Sequence, residues 1–247
     1  VDSVVVGNRR FFVRRVGTNA KNASAFIRHD EIVIRIPVHW PREEGFKAFL
    51  DLQRKMTKKL EKNPLRSGTA KIRFTHGQKI TVLGKPFEVT VTEGRSRISK
   101  GRINNGLIQV ELASGLPDGK KAEHVSNLAR RVMSRQVLPL VEKRVLELNA
   151  KHFGFTLRRV FLKETMSRWG SCSESGNINL NFALLFAPPD VLDSVIIHEL
   201  AHLKEHNHSP AFWALVKKAM PNYDDVRRWL KDNSATLGSG VPVGSVE

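Results

Sequence analysis

The chain has 247 residues, 40% of them hydrophobic, and 41 Lys and Arg against 24 Asp and Glu give a formal net charge of +17. That length allows one large domain or two modest ones with a sizeable core, and the charge would attract nucleic acid, phosphorylated ligands or acidic surfaces, although the basic residues are spread and not gathered into one block. The lone cysteine, Cys172, excludes an internal disulfide and a cysteine-based zinc finger and fits a reducing cytoplasm, and no apolar run reaches the ~18 residues of a membrane span.

At the N-terminus, VDSVVVGNRRFFVRR breaks its apolar residues with arginine almost at once, so no secretory signal is expected there, and Val1 leaves the true start open. Ser3–Gly7, Phe11–Val16, Ala25–Arg28 and Ile32–Pro37 read as strands. They are parted by the turn chemistry of Gly7-Asn8, Gly17-Thr18-Asn19 and His29-Asp30. Pro41 then opens a helix to about Lys62, with Phe46, Phe49, Leu50, Gln53 and Leu60 near one side and a lysine-rich last turn that suits the helix dipole. Lys79–Leu83 and Phe87–Thr92 flank Gly84-Lys85-Pro86 as a hairpin, and Leu107–Leu112 follows the Asn104-Asn105-Gly106 turn. The basic residues Arg95, Arg97, Lys100 and Arg102 are the best local candidates for a phosphate contact, but without interleaved aromatics they do not form a stacking surface.

After Pro117-Asp118-Gly119 the composition turns helical. Val125, Leu128, Ala129, Val132 and Met133, then Leu140, Val141, Val145 and Leu148, recur at helical spacing, and Pro139 is expected to kink or split the series. A strand from Leu157 to about Lys163 and a second, Asn177–Asn181, make a hairpin around Ser167-Arg168-Trp169-Gly170-Ser171-Cys172-Ser173. A buried helix runs from about Pro189 to Lys204, and the Gly/Ser/Val-rich end reads as a loose tail. The expected divisions are a β-rich region with one helix (1–116), a second domain (117–233) and the tail (234–247), an α+β class.

Chemistry concentrates in His198-Glu199-Leu200-Ala201-His202. Histidines four apart on a helix project from one face, so both imidazoles can reach one metal ion, and Glu199 lies beside them to handle the proton of a metal-bound water. The bland alternative is two helix histidines satisfied by ordinary hydrogen bonds. On an unbroken helix His206 would lie ~12 Å along the axis from His198, too far for metal–nitrogen bonds of ~2.0–2.1 Å. A third ligand therefore needs the helix to end and the chain to turn back. His206-Asn207-His208 offers that, because Asn207 tolerates a left-handed backbone and Ser209-Pro210 is a helix start signal. His208 is preferred over His206 as third ligand. Zinc suits an all-histidine site with one open position, although Mn, Co or Ni would also fit. Glu205, Asp224 and Asp225 are candidates to orient a ligand ring.

The run RWGSCSESGNINLNFALLFAPPDVLDSVIIHELAHLKEHNHSPAFWALV resembles the YgjP-like metal-dependent hydrolases, a zincin metallopeptidase family related to the SprT and WLM groups. The resemblance is specific over about Arg168–Val216 and looser over the β-rich half. It implies His198, His202 and His208 as zinc ligands and Glu199 as catalytic acid/base. It also implies a compact, minigluzincin-type helical core with a small sheet, whose edge strand over the metal helix would be Asn177–Asn181. The metzincins share the His202-to-His208 spacing but need glycine where this chain has Glu205. Trp169 and Gly170 read as packing and tight-turn residues. Arg168 either shares that structural role or stabilises an oxyanion or phosphate, and Tyr223 is a second candidate donor to an oxyanion. Cys172 has no free histidine partner and is a poor nucleophile.

The sequence thus favours a zinc-dependent hydrolase, a metallopeptidase acting on peptide or protein. One alternative is a nucleotide phosphoanhydride hydrolase (a nucleoside triphosphate pyrophosphatase) on the same site, for which the cationic residues speak. The other is a nucleic-acid-associated protein whose metal is structural, which would need a closed four-ligand site.

Overall fold

The computed structural model describes residues 3–6, 9–28, 31–62, 72–165 and 168–237. The expected turns at Gly7-Asn8 and His29-Asp30, together with Ser167 and residues 238–247, lie outside them. The chain forms two compact units, Val1–Arg66 and Ser67–Glu247.

In the first unit, β1 (Ser3–Val6), β2 (Arg9–Thr18), β3 (Ser24–Arg28) and β4 (Glu31–Pro37) make one sheet in the order β1-β2-β4-β3, with β2 and β4 parallel. Strand alternation sends Phe11, Val13, Ile32, Ile34 and Ile36 to one face, where helix α1 (Arg42–Lys62) covers them with Phe49 and Leu60. Gly45 sets the rotation of α1: a Cβ there would stand 3.0 Å from Ile36 Cγ2, so the helix closes on the sheet at this residue. Phe49, Leu52, Met56 and Leu60 follow from Gly45 at helical spacing and turn inward. Phe46 and Leu50, each one residue on, are rotated ~100° away and are exposed, contrary to the expected apolar stripe.

The second unit opens with β5 (Lys79–Val82), β6 (Lys85–Glu93), β7 (Lys100–Asn104) and β8 (Leu107–Leu112), a sheet ordered β5-β6-β8-β7. Its two hairpins use two-residue loops with positive φ at both positions, Leu83-Gly84 and Asn105-Gly106, as the right-handed strand twist requires. The first turn is therefore one residue earlier than expected, and Lys85-Pro86 begins β6. Leu83 is held in its left-handed conformation with its N–H donating to Leu185 O at 2.8 Å.

Helix α2 (Asp118–His152) continues through Pro139 without splitting and buries Val125, Leu128, Ala129, Val132, Met133, Val137, Val141 and Val145. It packs on β7 and β8 as well as on β9 (Arg159–Lys163) and α3 (Pro189–Ala201). One hydrophobic core consequently runs from Ile72 to Leu237. That is why the compact units part at Arg66/Ser67 and not at 116/117, where only the secondary structure changes.

The third sheet is small, in the order β10 (Gly170–Cys172), β11 (Asn177–Asn181), β9. Strands β9 and β11 run parallel, so the hairpin is β10–β11. Asn177–Asn181 is thus the central strand, and the edge facing α3 is β10. A 3-10 helix, Phe182–Phe186, leads into α3, which is followed by α4 (Pro210–Ala219), α5 (Tyr223–Asp232) and α6 (Ser234–Leu237). The expected tail begins as this short helix, with Leu237 buried. Among the described residues the three sheets are open, and the class is an N-terminal β-sheet region followed by a largely helical core. Among the described residues no helix is long and apolar enough to cross a membrane.

Candidate metal centre

Helix α3 ends at Ala201, and His202 is its cap, three residues before the expected end. Leu203 and Lys204 donate to the carbonyls of Leu200 and Ala201, and Glu205 donates to Ala201 O at 2.9 Å. This tightened last turn reverses the chain. Asn207 takes no part through a left-handed conformation: the described non-glycine residues with positive φ are Leu83 and Asn105. Ser209 then caps α4 as expected, its Oγ accepting from Phe212 N at 3.2 Å.

The turn brings His208 back onto α3. One ring nitrogen from each of His198, His202 and His208 lies within 4.8 Å of the other two. His206 is not in this cluster. Phe212, fully buried, seats all three imidazoles, its centroid 4.9, 4.5 and 4.8 Å from those of His198, His202 and His208. Trp213 stacks on His208 at 5.5 Å, and the Arg227 guanidinium lies 5.3 Å from the Trp213 ring centroid.

The donor chemistry fits a tetrahedral transition metal. Glu205 O is 3.0 Å from His202 Nδ1, and since a carbonyl only accepts, Nδ1 carries the proton and leaves Nε2 as the lone-pair atom. His198 Nε2 and His208 Nε2 are 3.1 Å apart, close to the ~3.3 Å between neighbouring nitrogens in a tetrahedral shell of ~2.05 Å bonds. His198 Nδ1 stands 2.9 Å from the hydroxyl of buried Tyr223, the first residue of α5. The phenol thus touches the side of the ring away from His208, a position that orients the imidazole. Glu205 contributes its backbone carbonyl to His202, while the Asp224 and Asp225 carboxylates pair with Lys217 and Arg228. Burial, followed by the neighbouring His202 and His208, pushes His198 down to about 3, and burial also lowers His208. Both rings are therefore neutral at physiological pH, the state a metal ligand needs.

Glu199 is 5% exposed and faces β10. Burial pushes its carboxyl up to about 7, against the opposing effects of the Arg168 guanidinium and of a hydrogen bond from the Cys172 backbone. Gly170 makes room for it: a Cβ at that position would lie 2.5 Å from Glu199 Oε1 and 2.6 Å from Cγ. Gly170 is a strand residue with ordinary φ, so its role is this close approach and not the tight turn expected. Trp169 is buried in the core as expected. Arg168 is exposed, and its loop is tied to β11 by Asn181, whose Nδ2 donates to Thr165 O at 2.7 Å and Arg168 O at 3.0 Å. Burial and then the Glu199 charge raise the Cys172 thiol to about 11, which leaves it protonated and unreactive at neutral pH.

Sequence reasoning missed Phe212 as the seat of the triad and Gly170 as the gap that accommodates Glu199. The RWGSC run and the Phe-Trp pair after the helix cap were the available signals, but neither has a period that says what it faces.

A β-sheet region joined to a helical core, with three clustered imidazoles beside a buried carboxylate, defines a metallopeptidase-like protein with a potential metal-binding site. Residues 21–233 match the model of the YgjP-like metallopeptidase domain, and the chain belongs to this family. It is 35% identical over 75 residues to UTP pyrophosphatase of Escherichia coli (strain K12), a match covering 28% of this chain and 45% of that protein. The chain therefore spans less than half the length of this curated relative. Among solved structures it is similar to the metallopeptidase zymogen of Pyrococcus abyssi abylysin, with 26% identity, a TM-score of 0.34, and 37% of this chain and 93% of that one covered. For the zymogen of Methanocaldococcus jannaschii jannalysin the values are 17%, 0.34, 38% and 95%.

Proposed function

We propose that the chain is a zinc-dependent hydrolase in which His198, His202 and His208 hold the ion and Glu199 is the general base. The observation that carries this reading is the three-nitrogen cluster beside a buried, raised carboxyl. Zinc held there would supply Lewis-acid polarisation of a substrate oxygen and an acidified water. Glu199, near 7, is suited to accept a proton at neutral pH and return it to a leaving group. The Cys172 backbone and the gap at Gly170 hold that carboxylate, while Tyr223 and Glu205 O fix the ring orientations of His198 and His202.

Peptide or protein is the first substrate class. The family is a metallopeptidase domain, and β10 offers an open sheet edge beside Glu199. A second reading, hydrolysis of a nucleotide phosphoanhydride, is favoured by the relative named UTP pyrophosphatase and by exposed Arg168 acting electrostatically on Glu199. Zinc-loaded protein assayed side by side on unfolded protein, peptides and nucleoside triphosphates separates the two. Peptide cleavage lost in Glu199→Gln supports the first; cleavage of nucleotides alone removes it.

A further inference from the structure

The sheet of the first unit has a second face, opposite α1, which the hydrolase reading does not use. Alternation and register place Val5, Arg10, Phe12, Arg14, Phe26, Glu31, Val33 and Arg35 on it. Phe12 is 47% exposed and Val5 62%. Across the strands Arg14 and Phe26 flank Val33, while Phe12 lies one row away beside Glu31. Strand spacing and register separate the Cα positions of Phe12 and Phe26 by ~12 Å. The Arg35 guanidinium lies 4.8 Å from the Phe26 ring centroid, a cation–aromatic stack, and Arg14 pairs with Glu31 at 3.0 Å. Among the described side chains of this face, three arginines oppose one carboxylate.

Exposed Phe12 and Val5 and half-buried Phe26 leave apolar surface in water, and a protein partner that buried it would also have to bury Arg10 and Arg35. A polyanion with flat apolar faces meets both needs: phosphates pair with guanidinium groups, and bases stack on phenyl and guanidinium planes. We propose that this face, with Phe12 and Phe26 interleaved with Arg10, Arg14 and Arg35, binds single-stranded nucleic acid. This is the aromatic interleaving that the Arg95–Arg102 stretch lacks. The proposal is independent of what the metal centre hydrolyses.

Fluorescence anisotropy on the full chain tests it, with labelled oligo(dT) and oligo(U) of about 12 nucleotides and a duplex of equal length. Binding to either single strand is expected, with Phe12→Ala and Phe26→Ala each weakening it about tenfold while duplex binding, carried by charge, changes little. Arg10→Ala should lower the slope of log K against log salt by ~0.7 for the single strand. Phe12→Leu preserves apolar bulk without the ring, so a loss matching Phe12→Ala supports stacking. Wild-type binding by both Phe12→Leu and Phe26→Leu overturns the proposal, as does equal affinity for duplex and single strand with no effect of the alanine variants. Absence of oligonucleotide binding at low salt also overturns it, leaving the face to a protein partner.

Discussion

Gly170→Ala is the most informative single substitution. The added Cβ would meet Glu199 Oε1, Cγ and Cδ at 2.5, 2.6 and 2.8 Å, well inside ordinary contact distance. Either β10 moves away from α3 or the Glu199 side chain rotates. Strand β10 is paired along its length with β11, whose Ile178 and Leu180 are fully buried, so the side chain is the softer of the two. Relief requires a displacement of ~1 Å at the carboxylate, and a misplacement of that size at a reacting group costs about 100-fold in turnover. The stability loss should stay within the ~1–3 kcal/mol of a small overpacking, because one flexible side chain absorbs most of it. The assay is kcat on the zinc-loaded variant, with zinc content and thermal midpoint measured on the same sample. Loss of turnover with zinc retained is expected. Wild-type turnover in a folded Gly170→Ala protein would refute the claim that this gap fixes the catalytic carboxylate.

The other expectations concern the metal and the proton. Tyr223→Phe should keep the fold and weaken zinc binding ~10–100-fold in a chelator competition, because His198 loses the group that orients it; unchanged affinity contradicts the assignment. His208→Ala should abolish tight zinc binding while His206→Ala leaves it intact, and the reverse result exchanges the third ligand. Protons compete for the imidazoles, but burial holds His198 down to about 3 and lowers His208, so acidification protonates them late. Half-loss of zinc should therefore fall below the ~6.5 of an ordinary imidazole, and a midpoint at or above that value contradicts it. Glu199 acts as a base only when deprotonated, so kcat should decline as pH falls through about 7 or lower, a bound cation shifting the limb downward. A profile flat down to pH 4 removes Glu199 as the titrating base.

What could be read from sequence was local. The His198/His202 spacing, the Ser209-Pro210 cap and the apolar strand run Ile32–Pro37 each depend on a few neighbouring residues, and each has its expected counterpart in the fold. The rotation of α1 was not legible, because Phe46 and Phe49 are equally apolar and only the approach at Gly45 to Ile36 chooses between them. Nor was the strand order of the small sheet: apolar residues in Val160–Leu162 and Asn177–Asn181 suit parallel or antiparallel pairing alike, and the three-residue β10 is too short to show a period. For the same reason the sequence pattern does not show that the edge beside Glu199 is β10 and not Asn177–Asn181. The compact-unit division at Arg66/Ser67 is not legible either, because composition changes at 117, while the core that unites β5–β8 with α2 is a long-range property.

The central claim is that three imidazoles hold one metal ion for chemistry performed with Glu199. Metal analysis and hydrolysis measured together on zinc-reconstituted wild type, Glu199→Gln and His208→Ala test it most directly. One zinc per chain is expected in wild type and Glu199→Gln, turnover in wild type alone, and neither zinc nor turnover in His208→Ala. Full zinc occupancy in His208→Ala, or wild-type turnover in Glu199→Gln, would contradict it.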